Sequence, residues 1–303
     1  MGSHMARTLI ANHVNPILFD IAPNTKRIQD LAGKTKIVRG DLTVLSELLD
    51  VMKANEVDCI FHYGATISAA ADTRPIASHR INYEGTINVL EAARLSGVKR
   101  VIYASSMAIY KPTTGTAVTE DHEKWPPSTY GVSKVFSELW GQFYASRYGL
   151  DFRALRFPTL IGPGREWSTF AFASFIIQKA ALGETFDVPV RPDFRTPIAY
   201  VKDAAGAAMN LYRVERVASP AYNVPSMYPS AQEIVAEVKN QLPDASLRFV
   251  LDEGLAGMAE ARNPAPLDGS RIRQDLDFTL SYDLKGTVTD FIGEIRDHRV
   301  LYA

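Results

Sequence analysis

Strand-like and helical runs alternate through the first half of the chain, and no other feature restricts the fold so tightly. Strands are expected at Asn15–Ile21, Lys36–Val38, Val57–Tyr63, Arg100–Ala104 and Asp151–Phe157, and helices at Leu45–Ala54, Asn82–Ser96 and Ser128–Gly149. Ala6–Asn12 reads as a short helical segment ahead of them. Strands separated by helices of this length close as right-handed βαβ units and give a parallel sheet. Ligands of such sheets bind beyond the carboxyl ends of the strands. Asp20, Asp41, Gly64 and the Ser105-Ser106 pair all fall at those ends. Each alone has a plain explanation, since Asp and Gly are common wherever a strand turns. Their shared edge is the informative part.

The second half is looser. Pro158–Trp167 is rich in Pro and Gly and reads as a loop, and Phe170–Leu182 as a buried helix. Short strands are expected at Ile198–Val201, Tyr222–Val224 and Leu247–Val250, with helices at Asp203–Arg213, Ala231–Gln241 and Leu284–Arg296. The expected fold is α/β: a Rossmann-like parallel sheet over residues 6–160 and a smaller C-terminal α/β lobe over 161–303 that covers the strand edge and takes substrate. The strand near 198–201 could still add to the main sheet.

With 303 residues the chain suffices for one large α/β domain, or for one with a smaller lobe. Its net charge of −1 argues against nucleic acid or an anionic membrane as the main partner. Cys59 is the single cysteine, so no intrachain disulfide is possible, and the six His show no metal-ligand spacing; no metal is expected. No run approaches the ~18 apolar residues of a membrane span. Without a recognisable leader, a soluble cytoplasmic protein is expected. Met1-Gly2-Ser3-His4-Met5 resembles a cloning remnant and is set apart from the fold.

Chemistry concentrates on the Ser128–Gly149 helix. Val132, Val135, Phe136, Leu139, Trp140, Phe143 and Tyr144 recur at the spacing of a buried stripe. Tyr130 and Lys134, four apart, share one face. A tyrosine titrates near about 10, and a neighbouring ammonium favours its phenolate. Such a phenol can take a proton from an alcohol or return it to a carbonyl. The plain alternative is an exposed Lys beside a half-buried Tyr. Ser106 adds a hydroxyl at a strand end. Together these suit hydride transfer at a secondary alcohol: Ser106 orients the oxygen, Tyr130 moves the proton, and Lys134 holds the phenolate and a ribose hydroxyl.

The whole set resembles the extended short-chain dehydrogenase/reductases, which include NAD-dependent epimerases and dehydratases. The carriers are Phe19-Asp20, Gly40-Asp41-Leu42, His62-Tyr63-Gly64-Ala65, N-Y-E-G-T-I-N-V-L-E-A-A from Asn82, Y-A-S-S-M-A-I-Y from Tyr103, Y-G-V-S-K from Tyr130 and R-F-P-T-L-I-G-P-G from Arg156. The resemblance implies that Asp20 binds the adenosine ribose and selects NAD over NADP. It places Asp41 and Leu42 beside adenine, Gly64 and Ala65 along the phosphates, and Pro158, Thr159 and Leu160 near the nicotinamide. Ser105, Tyr130 and Lys134 would also border the cofactor. It further implies a homodimer, paired through Phe136, Trp140 and Phe143.

Two departures matter. The family opens with a strand and a G-x-x-G-x-x-G turn that lets the backbone approach the pyrophosphate, and no such stretch precedes Asp20 here. Either the sequence is cut short or the protein does without that cradle, with N-terminal residues or a partner chain in its place. Second, R-T-P-I-A-Y-V-K-D from Arg195 resembles the short-chain-type L-threonine dehydrogenases, but their glycine-rich substrate loop is replaced by Arg165-Glu166-Trp167-Ser168-Thr169-Phe170. Ser168, Thr169 and Arg195 are candidate contacts for a carboxylate; Arg195 could equally pair with a neighbouring acidic residue, and Trp167 is expected to pack within its loop. A sugar, a nucleotide sugar or a small hydroxy or amino acid remains open as substrate. The competing expectation is a non-catalytic or cofactor-impaired binding or regulatory protein.

Overall fold

Among the described residues ten strands pair in parallel, and they divide into four separate sheets. The computed structural model describes every residue except 114, 115, 167, 263, 264 and 303, and only the backbone at 68, 69 and 262. Trp167 therefore lies outside the described residues. The strands are β1 Ile17–Asp20, β2 Lys36–Arg39, β3 Cys59–His62, β4 Arg100–Ser106, β5 Asp151–Phe157, β6 Thr159–Ile161, β7 Phe186–Val188, β8 Ile198–Tyr200, β9 Ala221–Asn223 and β10 Leu247–Phe249. The central sheet runs β3-β4-β5-β9, with His62 level with Tyr103 and Ser106 level with Phe157. This is the expected Rossmann-like α/β arrangement.

Side chains alternate across the sheet, so successive residues of a strand face opposite layers. Ile102, Leu155 and Phe157 face one layer, with the Val201–Arg213 helix and with Met5 and Leu9 of the Gly2–Ala11 helix. Val101, Tyr103, Phe152 and Ala154 face the other, with Leu48 and Met52 of the Leu45–Ala54 helix and Val89 and Leu90 of the Gly85–Ser96 helix. Setting residues 1–5 apart from the fold is therefore corrected. They form the first turn of a helix, and Met5 is 1% exposed. Full burial of a side chain of this size contributes about 1.5–3 kcal/mol.

The pair β1-β2 stands apart from β3-β4-β5-β9. Among the described residues no strand pairs with the free edge of β1 or of β3, so the two sheets share no backbone ladder.

Two expectations are corrected beyond β5. Pro158–Trp167 is not all loop, because Thr159–Ile161 forms β6. Ile198–Tyr200 pairs with β6 and not with the central sheet. Around that pair, Phe172, Ile176 and Ile177 of the Phe172–Leu182 helix pack with Ile234 and Val238 of the Ala231–Gln241 helix and with Val288, Phe291 and Ile295 of the Leu284–Asp297 helix.

The Thr129–Tyr148 helix overturns the expected buried stripe. Leu139 is 62% exposed, and Val132, Trp140 and Phe143 also face outward. The buried face is Gly131, Ser133, Lys134, Ser137, Glu138, Gly141 and Tyr144. Small residues let the helix approach its neighbours closely: a Cβ on Gly141 would stand 2.3 Å from the Phe152 ring. The polar members of that face are not wasted, because they meet partners across the interface.

Candidate active site

The start of the Thr129–Tyr148 helix is locked by its own sequence. Ser128 is the N-cap, its Oγ accepting from the Gly131 amide at 3.1 Å, and Gly149 ends the helix at φ 72°. At the first turn Gly131 lies against the Met107–Ile109 turn that leaves β4; a Cβ there would stand 2.2 Å from the Ala108 carbonyl oxygen. This close seat sets Tyr130 against Ser106. The Ser106 hydroxyl caps the turn, accepting from the Ala108 amide at 3.2 Å, and hydrogen-bonds the Tyr130 phenol.

Lys134 lies one turn further in and is 3% exposed. Its Nζ donates to the Ala104 carbonyl at 2.7 Å and sits 4.6 Å from the Tyr103 ring centre and 5.4 Å from that of Tyr130. Burial pulls the Lys134 ammonium down to about 7, against the pull of Glu138. Burial pushes the Tyr130 phenol up to about 12, opposed by the Ser106 hydrogen bond and the Arg165 charge. The Lys134 ammonium is held on a backbone carbonyl 5.4 Å from the Tyr130 ring centre, and the Arg165 charge also favours the phenolate.

Ser106, Tyr130 and Lys134 border a cavity of about 450 Å³ together with Ala65, Pro158, Thr159, Leu160, Thr169 and Arg165. Ser105 touches its edge, yet its hydroxyl turns inward to Glu138 Oε1 at 2.5 Å. Glu138 also holds Arg156 through two bonds, at 2.9 and 2.7 Å. Arg156 donates to the Tyr110 hydroxyl at 2.9 Å, and that hydroxyl donates to Asn223 Oδ1 at 2.6 Å. This buried chain ties β4, β5, β9 and the Thr129–Tyr148 helix together beneath the cavity. Sequence reasoning missed it: Arg156 stands in an expected strand, and Glu138 lies off the apolar stripe expected to be buried.

The remaining sequence candidates lie elsewhere. Asp20 is exposed, its Oδ1 accepting from the Ala22 amide at 2.8 Å. Asp41 accepts from the Thr43 amide at 2.8 Å and hydroxyl at 2.9 Å. Leu42 packs on Gly64, where a Cβ would meet it at 2.5 Å. None of these four borders the cavity. Arg195 is exposed and takes the acidic-partner alternative, donating to Glu233 at 2.9 and 3.1 Å and to the Tyr228 carbonyl at 2.8 Å. Ser168 accepts from Arg165 at 3.0 Å.

The donors present suit the nicotinamide-ribose end of a dinucleotide. Lys134 has N–H groups left after its bond to Ala104, and the Tyr130 and Ser106 oxygens stand beside it. The adenosine end is less complete, since the strand-end carboxylates of Asp20 and Asp41 are turned to their own loops. Among the described residues no helix is long and apolar enough to cross a membrane.

Comparison with known proteins agrees with this geometry. The profile of the NAD dependent epimerase/dehydratase family matches residues 1–224. The mitochondrial L-threonine 3-dehydrogenase of Sus scrofa is 30% identical over 283 residues, covering 92% of this chain and 74% of the pig protein. The GalE-like L-threonine dehydrogenase of Cupriavidus necator, solved in a holo form, superposes with a TM-score of 0.88 at 26% identity, covering 97% of this chain and 96% of that one. A UDP-glucose 4-epimerase of Thermotoga maritima shares the fold, with a TM-score of 0.84 at 19% identity over 98% of this chain and 95% of its own. A parallel sheet with Ser106, Tyr130 and Lys134 on one cavity, and a profile that spans most of the sequence, place this chain in the NAD dependent epimerase/dehydratase family of enzymes.

Proposed function

We propose that the protein is an NAD-dependent, threonine dehydrogenase-like oxidoreductase that oxidises a secondary alcohol of a small polar substrate. The observation that carries this reading is the meeting of Ser106, Tyr130 and Lys134 on one cavity wall. When bound, the nicotinamide supplies the hydride acceptor. Tyr130 takes the hydroxyl proton as the carbinol C–H bond breaks and the carbonyl forms. Ser106 holds the substrate oxygen toward that phenol, and Lys134 binds ribose hydroxyls and steadies the phenolate. Pro158, Thr159 and Leu160 would border the nicotinamide, with Ser105 and Ala65 on the same cavity. Asp20, Asp41, Leu42 and Gly64 would serve the adenosine half. The Asp20 carboxylate favours NAD, because it would repel the extra phosphate of NADP. Residues 1–160, with the Val201–Arg213 helix and β9, would form the cofactor unit, and the rest of 161–303 mainly the substrate lobe. The outward Val132, Leu139, Trp140 and Phe143 surface is the proposed seat of a second copy in a homodimer.

A second reading rests on the unpaired edges of β1 and β3 and on the loop-bound Asp20 and Asp41. In it the protein keeps the catalytic wall but holds the dinucleotide too weakly for turnover, and works as a binding protein. Calorimetric titration with NAD, followed by a panel of secondary alcohols with NADH absorbance as readout, separates the two. The enzyme reading expects NAD binding and NADH production, and Tyr130→Phe should lower kcat by about 10²–10⁴ with a nearly unchanged melting temperature. Near-normal turnover in that variant would remove Tyr130 from the mechanism.

A further inference from the structure

The last four residues of β4 each hydrogen-bond the Thr129–Tyr148 helix. Tyr103 bonds Ser137 through side chains, the Ala104 carbonyl accepts from Lys134, Ser105 donates to Glu138, and Ser106 bonds Tyr130. Glu138 is the member that also reaches a second strand. Arg156 lies level with Ser105 on β5, and both side chains meet the same carboxylate. Ser105 Oγ and Arg156 Nε share Oε1, at 2.5 and 2.9 Å, and a terminal nitrogen of Arg156 takes Oε2 at 2.7 Å. Glu138 is 3% exposed and Arg156 4%. Apolar side chains of similar volume would hold this layer about as well, since a buried ion pair gains little over them. What directed bonds add is a fixed orientation. A helix resting on apolar contacts can turn about its axis; a carboxylate held from two strands at one level resists that turn.

Tyr130, Lys134 and Glu138 are spaced four apart and share one face, so Glu138 lies two turns, about 12 Å, from the phenol. A helix rotation of about 10° shifts a point on its outer surface, about 5–6 Å from the axis, by about 1 Å. A displacement of about 1 Å at a reacting group can cost about 10²-fold in rate. Gly131 and Gly141 limit how near the helix comes to its neighbours, and the directed bonds set its rotation. We propose that Glu138 is a positioning residue for the reaction: by holding Ser105 and Arg156 on adjacent strands, it sets the rotation that brings the Tyr130 phenol to the Ser106 hydroxyl. The inference rests on the dehydrogenase reading for what the phenol does, and on geometry alone for the positioning. The Ser105 hydroxyl, turned in to Glu138, belongs to this mount.

The test uses the full chain. Fluorine NMR reads 3-fluorotyrosine in place of Tyr130, and steady-state kinetics on the unlabelled protein use NAD with the most active member of the secondary-alcohol panel, L-threonine included. Ser106→Ala supplies the signal of a phenol that has lost its partner. Two variants loosen the mount: Ser105→Ala, and Glu138→Leu with Arg156→Met, which leaves no buried charge and keeps the fold should Glu138→Gln lose it. Thermal melts establish that each is folded. Both should move the fluorine signal toward that of Ser106→Ala. kcat should fall severalfold in Ser105→Ala and about 10–10²-fold in the double variant, with KM and NAD affinity within about twofold of wild type. A folded double variant with an unmoved fluorine signal, or with the kcat of an active wild type, overturns the proposal and leaves the pair a stability element. Loss of NAD affinity in Ser105→Ala at unchanged kcat also overturns it, and assigns that hydroxyl to the cofactor. If the wild type turns over no alcohol, the dehydrogenase reading falls, and the fluorine signal decides the positioning by itself.

Discussion

Lys134 Nζ lies 5.4 Å from the centre of the Tyr130 ring, yet its hydrogen bond runs to the Ala104 carbonyl at 2.7 Å. Two groups that share a helix face are thus bound to different things: Tyr130 to the turn capped by Ser106, and Lys134 to the strand leading into it. The backbone carbonyl fixes where the ammonium sits without a neutralising carboxylate in contact. Lys134 consequently carries a burial cost that depends on its protonation.

Stability should therefore vary with pH in a defined window. Burial lowers the Lys134 pKa from 10.5 to about 7, so between those values the unfolded chain holds the extra proton and stability rises with pH. Tyr130 acts in the opposite sense above its ordinary value of 10, where the unfolded chain releases its proton first and stability falls. Urea midpoints should climb from pH 7 to 9, and Lys134→Met should flatten that climb. An identical slope in the variant would show that Lys134 does not titrate as described.

Gly131 should tolerate no side chain. A methyl group would stand 2.2 Å from the Ala108 carbonyl oxygen and 2.6 Å from Pro126 Cβ, both rigidly placed. Gly131→Ala is expected to cost about 1–3 kcal/mol and to push Tyr130 off Ser106, lowering kcat more than it raises KM. Wild-type kinetics in a variant that melts normally would contradict the role given to this contact.

The Glu138–Arg156 pair is buried and bidentate, with both side chains about 5% exposed or less. Breaking it from one side leaves a buried charge, so Glu138→Gln should cost about 3–5 kcal/mol. Removing both charges with Glu138→Leu and Arg156→Met should cost less than the sum of the single changes. A double-mutant cycle in urea measures this, and strict additivity would mean the two residues are not coupled.

The outward face of the Thr129–Tyr148 helix should govern association. Phe136 stacks on Trp140 at 5.3 Å, with Phe143 5.7 Å further along, and Leu139 is 62% exposed beside them. Leu139→Glu with Phe143→Glu should convert a dimer to a monomer in light scattering without loss of helix content. A wild-type protein that is monomeric at high concentration would dismiss the interface.

What could be read from the amino acids followed the periodicities. Alternating strands and helices carried the sheet, and the Leu45–Ala54 and Ala231–Gln241 helices have the bounds their apolar spacing implies. Failures came where chemistry and hydrophobicity separate. In the Thr129–Tyr148 helix a glycine, serine and charge face goes inward because its partners are a carbonyl, a turn and a salt bridge, none visible as apolar spacing. Arg165 was passed over for Arg195, since a cation's sequence says nothing about whether an acidic neighbour reaches it; Arg195 has Glu233, and Arg165 faces a cavity. The Thr159–Ile161 strand hid in a Pro- and Gly-rich stretch because three residues are too few to show alternation.

The missing ladder between β1 and β3 has a mechanical meaning. The layer from β1 to β2 shares no backbone ladder with the wall that bears Tyr130; it is kept in place by contacts such as Ile28 and Leu31 on Ala6, and by the Arg7–Asp30 pair. That layer can then shift by side-chain repacking, without breaking any strand ladder of the wall that carries Tyr130.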